Sequence, residues 1–259
     1  MKNHPFHLVS ASPWPLMASL AGVSLTSSTV ILSHSKTFYP LIMSFVACLI
    51  TSYIWWSDVF KESSMEGTHP KATMSGLKAG MVFFIVSEVM LFFSFFWAFF
   101  HSSLAPTIDI GMVWPPHQIS PFDPKNIPLM NTSILLTSGA TITWSHHSLL
   151  EKKYWNAFDS LLMTIVLGGY FTYLQGVEYW NSQFSLWDSV YSCSFFLATG
   201  LHGAHVIIGT IFLSVSMKQM AYLTSTYSHM VSFECAAWYW HFVDVVWLFL
   251  YASIYVWGS

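Results

Sequence analysis

The sequence contains no arginine, and charged residues make up only 8% of its 259 residues. An ordinary soluble domain is roughly 25% charged, so this chain has too few ions to cover a water-facing surface. Its net charge of −3 and the lack of a basic patch exclude nucleic acid as a partner. Hydrophobic residues reach 54%. These proportions predict a polytopic membrane protein, built from helices that satisfy their own backbone hydrogen bonds.

Cysteine and the common catalytic motifs are also scarce or missing. The three cysteines, Cys48, Cys193 and Cys235, are far apart and lie in apolar stretches, which favours buried thiols over a disulfide framework. The chain lacks the phosphate-binding patterns G-x-x-x-x-G-K-[ST] and G-x-G-x-x-G and the nucleophile pattern G-x-S-x-G. We therefore do not expect an independent enzyme.

No proline follows Pro128, whereas six of the eleven prolines lie between Pro106 and Pro128. Because proline breaks a helix interior, this distribution predicts one long Pro-rich loop over 104–128 and uninterrupted helices elsewhere. About 20 apolar residues are needed to cross a bilayer. The sequence, as a single transmembrane domain over 1–259, then predicts seven transmembrane helices and an all-α fold, with spans at 15–34, 40–58, 74–103, 129–148, 157–180, 187–217 and 231–256.

The lysines are distributed unequally between the two sides that seven spans would create. On the N-terminal side lie seven lysines and on the other side two: Lys2, Lys61, Lys71, Lys78, Lys152, Lys153 and Lys218 against Lys36 and Lys125. Because positive charge is retained on the inner side, we expect the N-terminus to face the cytoplasm or matrix and the C-terminus the opposite compartment.

Small residues predict where the helices pack together. Close helix contacts in membranes use small side chains, and the candidates are Gly76, Gly80, Gly168, Gly169, Gly200, Gly203 and Gly209.

Glu88 is the most unusual polar residue, since it lies inside the apolar stretch "FFIVSEVMLFF". An intramembrane acid must be neutral or have a partner, and it indicates a proton relay, an ion site or a contact between subunits. The residue types alone do not choose among these.

Histidines and one aspartate form a second set of candidates. His202 and His205 are three residues apart on one helix face, as are His241 and Asp244, which can share a hydrogen bond. Haem or copper would need histidines that project from facing helices, but no cysteine or Glu-x-x-His pattern completes such a set. We predict an interhelical polar network without metal, and for Asp244 a structural and a functional role both stay open.

The connection "WWSDVFKESSMEGTHPKATMSGLKAG" places lysines beside Trp55 and Trp56 at the positive side of the membrane. Lysine next to interfacial tryptophan suits a phospholipid head group. Ordinary interfacial anchoring of the helix ends would use the same residues.

Several long stretches resemble one family: "HPFHLVSASPWPL", "FFIVSEVMLFFSFFWAFFHSSLAPT", "FFLATGLHGAHVIIGT" and "FECAAWYWHFVDVVWLFLYASIYVWGS". They are similar to subunit III of mitochondrial-type cytochrome c oxidase, a member of the haem-copper oxidase subunit III family. The resemblance implies a two-helix pair at 15–58 and a five-helix bundle at 74–256 with a lipid-filled V-shaped cleft between them. It also implies a multi-pass protein of the mitochondrial inner membrane, with its N-terminus in the matrix and its C-terminus in the intermembrane space.

The same resemblance implies a function and partners. The chain would be a non-catalytic core subunit of the proton-pumping terminal oxidase, which oxidises cytochrome c and reduces oxygen to water. It would carry no haem or copper of its own; these cofactors would belong to partner subunits. The expected partners are subunits I and II, accessory subunits and bound phospholipids, and the chain would stabilise the catalytic subunit and support proton uptake and oxygen access.

Residue by residue, Glu88 matches the family's intramembrane acid, which is associated with carbodiimide reactivity and proton uptake. Trp56, Lys61, Glu62 and His69 match positions of the family's lipid-lining segment. The chain departs from its relatives where Ser57 replaces an arginine and where Lys61 and Lys78 do the same. Because lysine lacks the bidentate geometry of arginine, the lipid selected here can differ.

Two alternatives stay open at this point. One is subunit III of a bacterial oxidase, including the quinol-using kind. The other, on composition alone, is a seven-helix transporter or receptor, which would need polar groups that converge near the membrane midplane.

Overall fold

The computed structural model describes residues 7–64, 66–221 and 231–258. The described residues form seven α-helices and no strand, which confirms the predicted all-α fold. The helices are α1 (Trp14–Ser35), α2 (Tyr39–Ser64), α3 (Lys71–Leu104), α4 (Ile127–Leu150), α5 (Tyr154–Trp180), α6 (Val190–Ala221) and α7 (Val231–Leu250), the last continuing as a π-helix over Tyr251–Trp257. The orientation predicted for the two chain ends falls on Met1 and Ser259, which lie outside the described residues.

Six of these helices are long and apolar enough to cross a membrane. The exception within the described ranges is α4, which has 24 residues and no Asp, Glu, Lys or Arg but many Ser and Thr. Its hydroxyl groups lower the mean hydropathy, although most of them bond to carbonyls of the helix itself. The length of α4 would let it cross a membrane, whereas its hydropathy does not by itself mark it as a span.

The chain divides into two compact units, residues 1–76 and 77–259. In the first unit, Ser28 Oγ of α1 and Ser44 Oγ of α2 lie 2.7 Å apart. At the end of this pair, the indole Nε1 of Trp14 donates to Asp58 Oδ2 at 2.6 Å. Two polar contacts thus hold α1 against α2, while most of their apolar side chains stay exposed.

The second unit is organised around two buried tryptophans of α7. Trp240 Nε1 donates to Ser138 Oγ at 2.9 Å, and Trp247 Nε1 donates to Thr132 Oγ1 at 3.0 Å. Both acceptors belong to α4, so the indoles fix α7 against the most polar helix. Because a buried indole N–H needs an acceptor, the hydroxyls of α4 serve the core rather than weaken it.

Two of the candidate packing glycines lie where the prediction requires. A Cβ on Gly168 would lie 2.5 Å from Thr210 Cγ2 and from Trp240 Cη2, and one on Gly209 would lie 3.0 Å from Trp240 Cε3. Only glycine lets α5, α6 and α7 approach this closely around Trp240. A Cβ on Gly200 would lie 3.7 Å from Tyr179 Oη, an ordinary van der Waals distance. Gly76, Gly80, Gly169 and Gly203 mark no close contact with another helix of the described chain.

Residues 105–126 connect α3 to α4, with a short 3₁₀ turn at Ile108–Ile110 and a cis peptide bond between Trp114 and Pro115. The loop packs by its aromatic side chains. The ring of Trp114 lies 5.5 Å from that of Phe99, and Phe122 lies 5.4 Å from Phe184. The loop is therefore a packed part of the second unit.

Candidate functional site: an acid and a histidine between two helices

Glu88 lies in the middle of α3 and meets His205 of α6. Glu88 Oε2 and His205 Nε2 are 2.7 Å apart, and the two side chains are 18% and 9% exposed. Aromatic rings cover the imidazole, with Phe92 at 5.1 Å, Tyr239 at 6.2 Å and Phe242 at 6.4 Å. The structure thus joins two residues that the sequence marked separately.

The second nitrogen of His205 determines what the pair can do. His205 Nδ1 lies 2.7 Å from the backbone carbonyl of Leu201. Because a carbonyl oxygen can only accept, Nδ1 carries a hydrogen. The contact between Nε2 and Glu88 then needs one further proton, held either by the carboxyl group or by the imidazole. Glu88 and His205 therefore form a unit that shares one proton.

His202 lies one turn before His205 and is fully buried. Its Nε2 is 3.1 Å from the backbone carbonyl of Val243 in α7, so Nε2–H donates between helices. Its ring lies 5.5 Å from Phe171 and 5.2 Å from Trp247. His202 Nδ1 is buried and has no hydrogen-bond partner among the described residues.

His241 and Asp244 do not share the hydrogen bond that their spacing allows, since the structure gives none between these two described residues. Asp244 Oδ1 is buried without a partner among the described residues. Asp244 Oδ2 lies 2.9 Å from the position where Gly139 of α4 would carry a Cβ. The carboxyl group thus occupies space that glycine leaves open. The four residues predicted as one network lie at three separate contacts: α3 with α6, α6 with α7, and α4 with α7.

The predicted lipid segment lies in the first unit. Trp56 is 73% exposed, and Lys61 pairs with Asp58 at 3.1 Å. Glu62, in the last turn of α2, instead lies 3.4 Å from His7, measured from Oε2 to Nε2. The ring of His7 lies 4.9 Å from that of His69.

The comparisons with known proteins concern almost the whole chain. A family model described as cytochrome c oxidase subunit III matches residues 4–259. The chain belongs to the cytochrome c oxidase subunit III family. Among curated relatives, cytochrome c oxidase subunit 3 of Locusta migratoria is 52% identical over 257 residues, which are 99% of this chain and 98% of that protein.

Two further relatives are similar to this chain over almost its whole length. Cytochrome c oxidase subunit 3 of Myxine glutinosa is 51% identical over 99% of this chain and 98% of its own length. That of Heterololigo bleekeri is 50% identical over the full length of both proteins. Membership of the subunit III family makes the chain a multi-pass membrane protein and part of an oxidoreductase complex.

This subunit III chain also has a buried polar cluster that the sequence reasoning missed. Glu178 of α5 is 1% exposed, and its Oε2 accepts from Tyr255 Oη at 3.3 Å. Gln175 Nε2 lies 3.4 Å from the same Tyr255 oxygen, and Gln175 Oε1 accepts from Asn131 Nδ2 at 3.3 Å. Gln175 and Glu178 are three residues apart, so they share a helix face. That spacing could have indicated a polar face on α5, although interfacial aromatic residues surround it at the end of the helix.

Proposed function

We propose that the chain is a non-catalytic core subunit of the proton-pumping terminal oxidase of the mitochondrial inner membrane. The complex would oxidise cytochrome c and reduce oxygen to water. This chain would stabilise the catalytic subunit I, contact subunit II and accessory subunits, and hold phospholipids. The match to the subunit III family over residues 4–259 supports this role.

The pair of Glu88 and His205 is the observation that supports a role of this chain in proton uptake. Glu88 Oε2 and His205 Nε2 are 2.7 Å apart and share one proton between two apolar helices. Such a pair suits a group that accepts and returns protons. We assign to this pair the support of proton uptake by the neighbouring catalytic subunit. Oxygen access through lipids held by this chain belongs to the same proposal.

Haem and copper would be carried by partner subunits. Three of the four ring nitrogens of His202 and His205 are already hydrogen-bonded: His202 Nε2 to Val243, and both nitrogens of His205 to Leu201 and Glu88. Only the buried Nδ1 of His202 has no partner among the described residues. The two histidines thus serve as hydrogen-bonding groups between helices.

Phospholipids are the ligands we propose for the first unit and its lipid-lining segment. Trp56 is exposed about two turns before the end of α2 and Lys61 is more than half exposed, as a head-group contact requires. Glu62 and His69 of the same segment lie against His7. The V-shaped cleft inferred from the family stays part of this proposal.

The N-terminus would face the matrix and the C-terminus the intermembrane space. Seven crossings, with α4 as the seventh, would place the two ends on opposite sides, and the excess of lysines on the N-terminal side assigns that side to the matrix. Its length of 24 residues and the hydrogen bonds that its polar groups make to α5 and α7 support a crossing.

The test is the substitution Glu88→Gln in the assembled oxidase. We expect the complex to assemble, because glutamine keeps the size of the side chain and can still bond His205. Carbodiimide labelling of the chain should disappear and sustained turnover should fall. The control is Glu234→Gln, which removes the acid paired with Lys78 elsewhere in the second unit and should leave labelling intact. Labelling that persists in Glu88→Gln would remove Glu88 from the proposal.

A further inference from the structure

Three potential metal ligands from three separate segments meet in the first unit. His7 belongs to the stretch before α1, Glu62 to the last turn of α2, and His69 to the connection that leads to α3. One ligand atom of each lies within 4.8 Å of the other two. We propose that His7, Glu62 and His69 form a binding site for a divalent transition-metal ion, with Zn²⁺ as the ion to test.

The distances fit a metal better than an ion pair. His7 Nε2 and Glu62 Oε2 are 3.4 Å apart, longer than the roughly 2.7–2.9 Å of a charge-assisted hydrogen bond. Two ligands that each lie about 2.1 Å from a tetrahedral Zn²⁺ are separated by about 3.4 Å. The separation of His7 and Glu62 therefore already matches one edge of such a tetrahedron, and no two of the three ligand atoms have to approach by more than about 1.4 Å.

The local backbone brings the ligands together. The carbonyl of Glu62 accepts both from the backbone N–H of Thr68 at 3.1 Å and from its hydroxyl at 2.9 Å. Gly67 supplies the positive φ of +59° that this reversal needs. The connection therefore folds back over the end of α2 and sets His69 beside Glu62.

The approach of His7 depends on a different contact. Trp14 donates to Asp58 at 2.6 Å and ties the start of α1 to the end of α2. The stretch that precedes α1 then passes beside the last turn of α2, where the ring of His7 meets that of His69 at an interplanar angle of 77°. Edge-to-face imidazoles can direct nitrogens toward a common point.

The chemistry of the ligands indicates the class of ion. Two imidazoles and one carboxylate suit Zn²⁺ and related transition metals, whereas Mg²⁺ and Ca²⁺ prefer oxygen ligands. The set carries one negative charge. Neighbouring Lys61 is paired with Asp58 at 3.1 Å, so its charge is balanced there. His69 is 8% exposed, and the side chains of His7 and Glu62 are 16% and 19% exposed. The site is therefore sheltered yet reachable from solvent.

The test measures binding of radioactive Zn²⁺ to the full-length chain in phospholipid nanodiscs, independently of any oxidase activity. We expect a saturable site that millimolar Mg²⁺ does not compete for. His7→Ala and His69→Ala should each weaken it by more than about 100-fold, since even residues behind the ligands are worth 10–100-fold. His34→Ala, an exposed histidine of the same unit, is the matched control and should leave binding unchanged.

A ligand replacement separates metal binding from folding. His69→Cys keeps a ligand of softer character, so we expect it to bind Cd²⁺ more tightly than His69→Ala does, with a thiolate-to-cadmium absorption band. Binding of Zn²⁺ that is the same in the wild type, His7→Ala and His69→Ala would overturn the proposal. So would a His69→Cys variant that shows no such band.

Discussion

A methyl group added to Gly168 should destabilise the second unit, whereas the same change at the next residue should not. In Gly168→Ala the new Cβ would lie 2.5 Å from Thr210 Cγ2 and from Trp240 Cη2. Carbon atoms pack at about 3.5–4.0 Å, so the neighbours must withdraw by about 1 Å. Trp240 cannot yield easily, because it is 1% exposed and its Nε1 is bonded to Ser138.

The adjacent residue provides the control. Apart from its chain neighbours and the backbone of its own helix, no described atom lies within 4 Å of a Cβ on Gly169, so Gly169→Ala only gains helix propensity, up to about 1 kcal/mol. Both variants share that gain, and their difference isolates the packing term. Overpacking of a dense core costs about 1–3 kcal/mol, and we expect Gly168→Ala to be less stable than Gly169→Ala by that amount.

The assay is unfolding of the full-length chain in mixed micelles, titrated with SDS and followed by tryptophan fluorescence. Thr210→Ser removes the Cγ2 atom that the methyl would meet, so the double variant Gly168→Ala/Thr210→Ser should recover part of the loss. Equal stability of Gly168→Ala and Gly169→Ala would refute the reasoning, because it would mean that α5 does not approach Trp240 as closely as the structure has it.

Two further predictions concern other polar groups. Tyr255→Phe removes the hydroxyl that donates to the buried Glu178 at 3.3 Å. Because a buried acceptor without its donor costs about 1–3 kcal/mol, the free energy of unfolding should fall by that amount. Tyr173→Phe, at an exposed tyrosine, is the control and should not change the unfolding midpoint. In the connection between α5 and α6, the backbone N–H and hydroxyl of Ser185 both donate to Asp188 at 2.6 Å and lower the pKa of its carboxyl group from 3.8. A lowered pKa means that the contribution to stability is complete above the ordinary value and is lost as the pH falls through the lowered one. Amide exchange at Ser185 should therefore accelerate below pH 3.8 beyond its intrinsic pH dependence, and Asp188→Asn should abolish that extra change; an unaltered profile in the variant would contradict it.

The number of helices could be predicted from the sequence because it depends on local properties. Proline placement and apolar length predict seven helices whose ends agree with the structure to within about four residues, except that α2 continues six residues beyond the predicted end, to Ser64. Which helices pack against each other depends on residues far apart in the chain, and local patterns do not predict it. Glu88 and His205 are 117 residues apart. The sequence indicates each of them separately as a candidate, but nothing in its periodicity says that α3 faces α6.

Spacing along a helix also predicts hydrogen bonds that the structure does not form. His241 and Asp244 lie one turn apart, yet Asp244 turns toward Gly139, where the missing side chain leaves room. The glycines show the same limit, since Gly168 and Gly169 are equivalent in sequence but only Gly168 faces Trp240. His7 received no role because its partners are supplied by a backbone reversal at Gly67 that spacing does not encode.

The polarity of α4 has a consequence for how the protein enters the membrane. Ser138 and Thr132 of α4 receive the indoles of α7, and Ser145 donates to the carbonyl of Ala157 in α5 at 2.8 Å. Only the three residues 151–153 separate α4 from α5. A helix with this hydroxyl content gains little from lipid alone, so its insertion depends on partners that are synthesised after it. We expect α4 to be retained at the insertion machinery until α5 follows, and the two helices to enter the bilayer together as a hairpin.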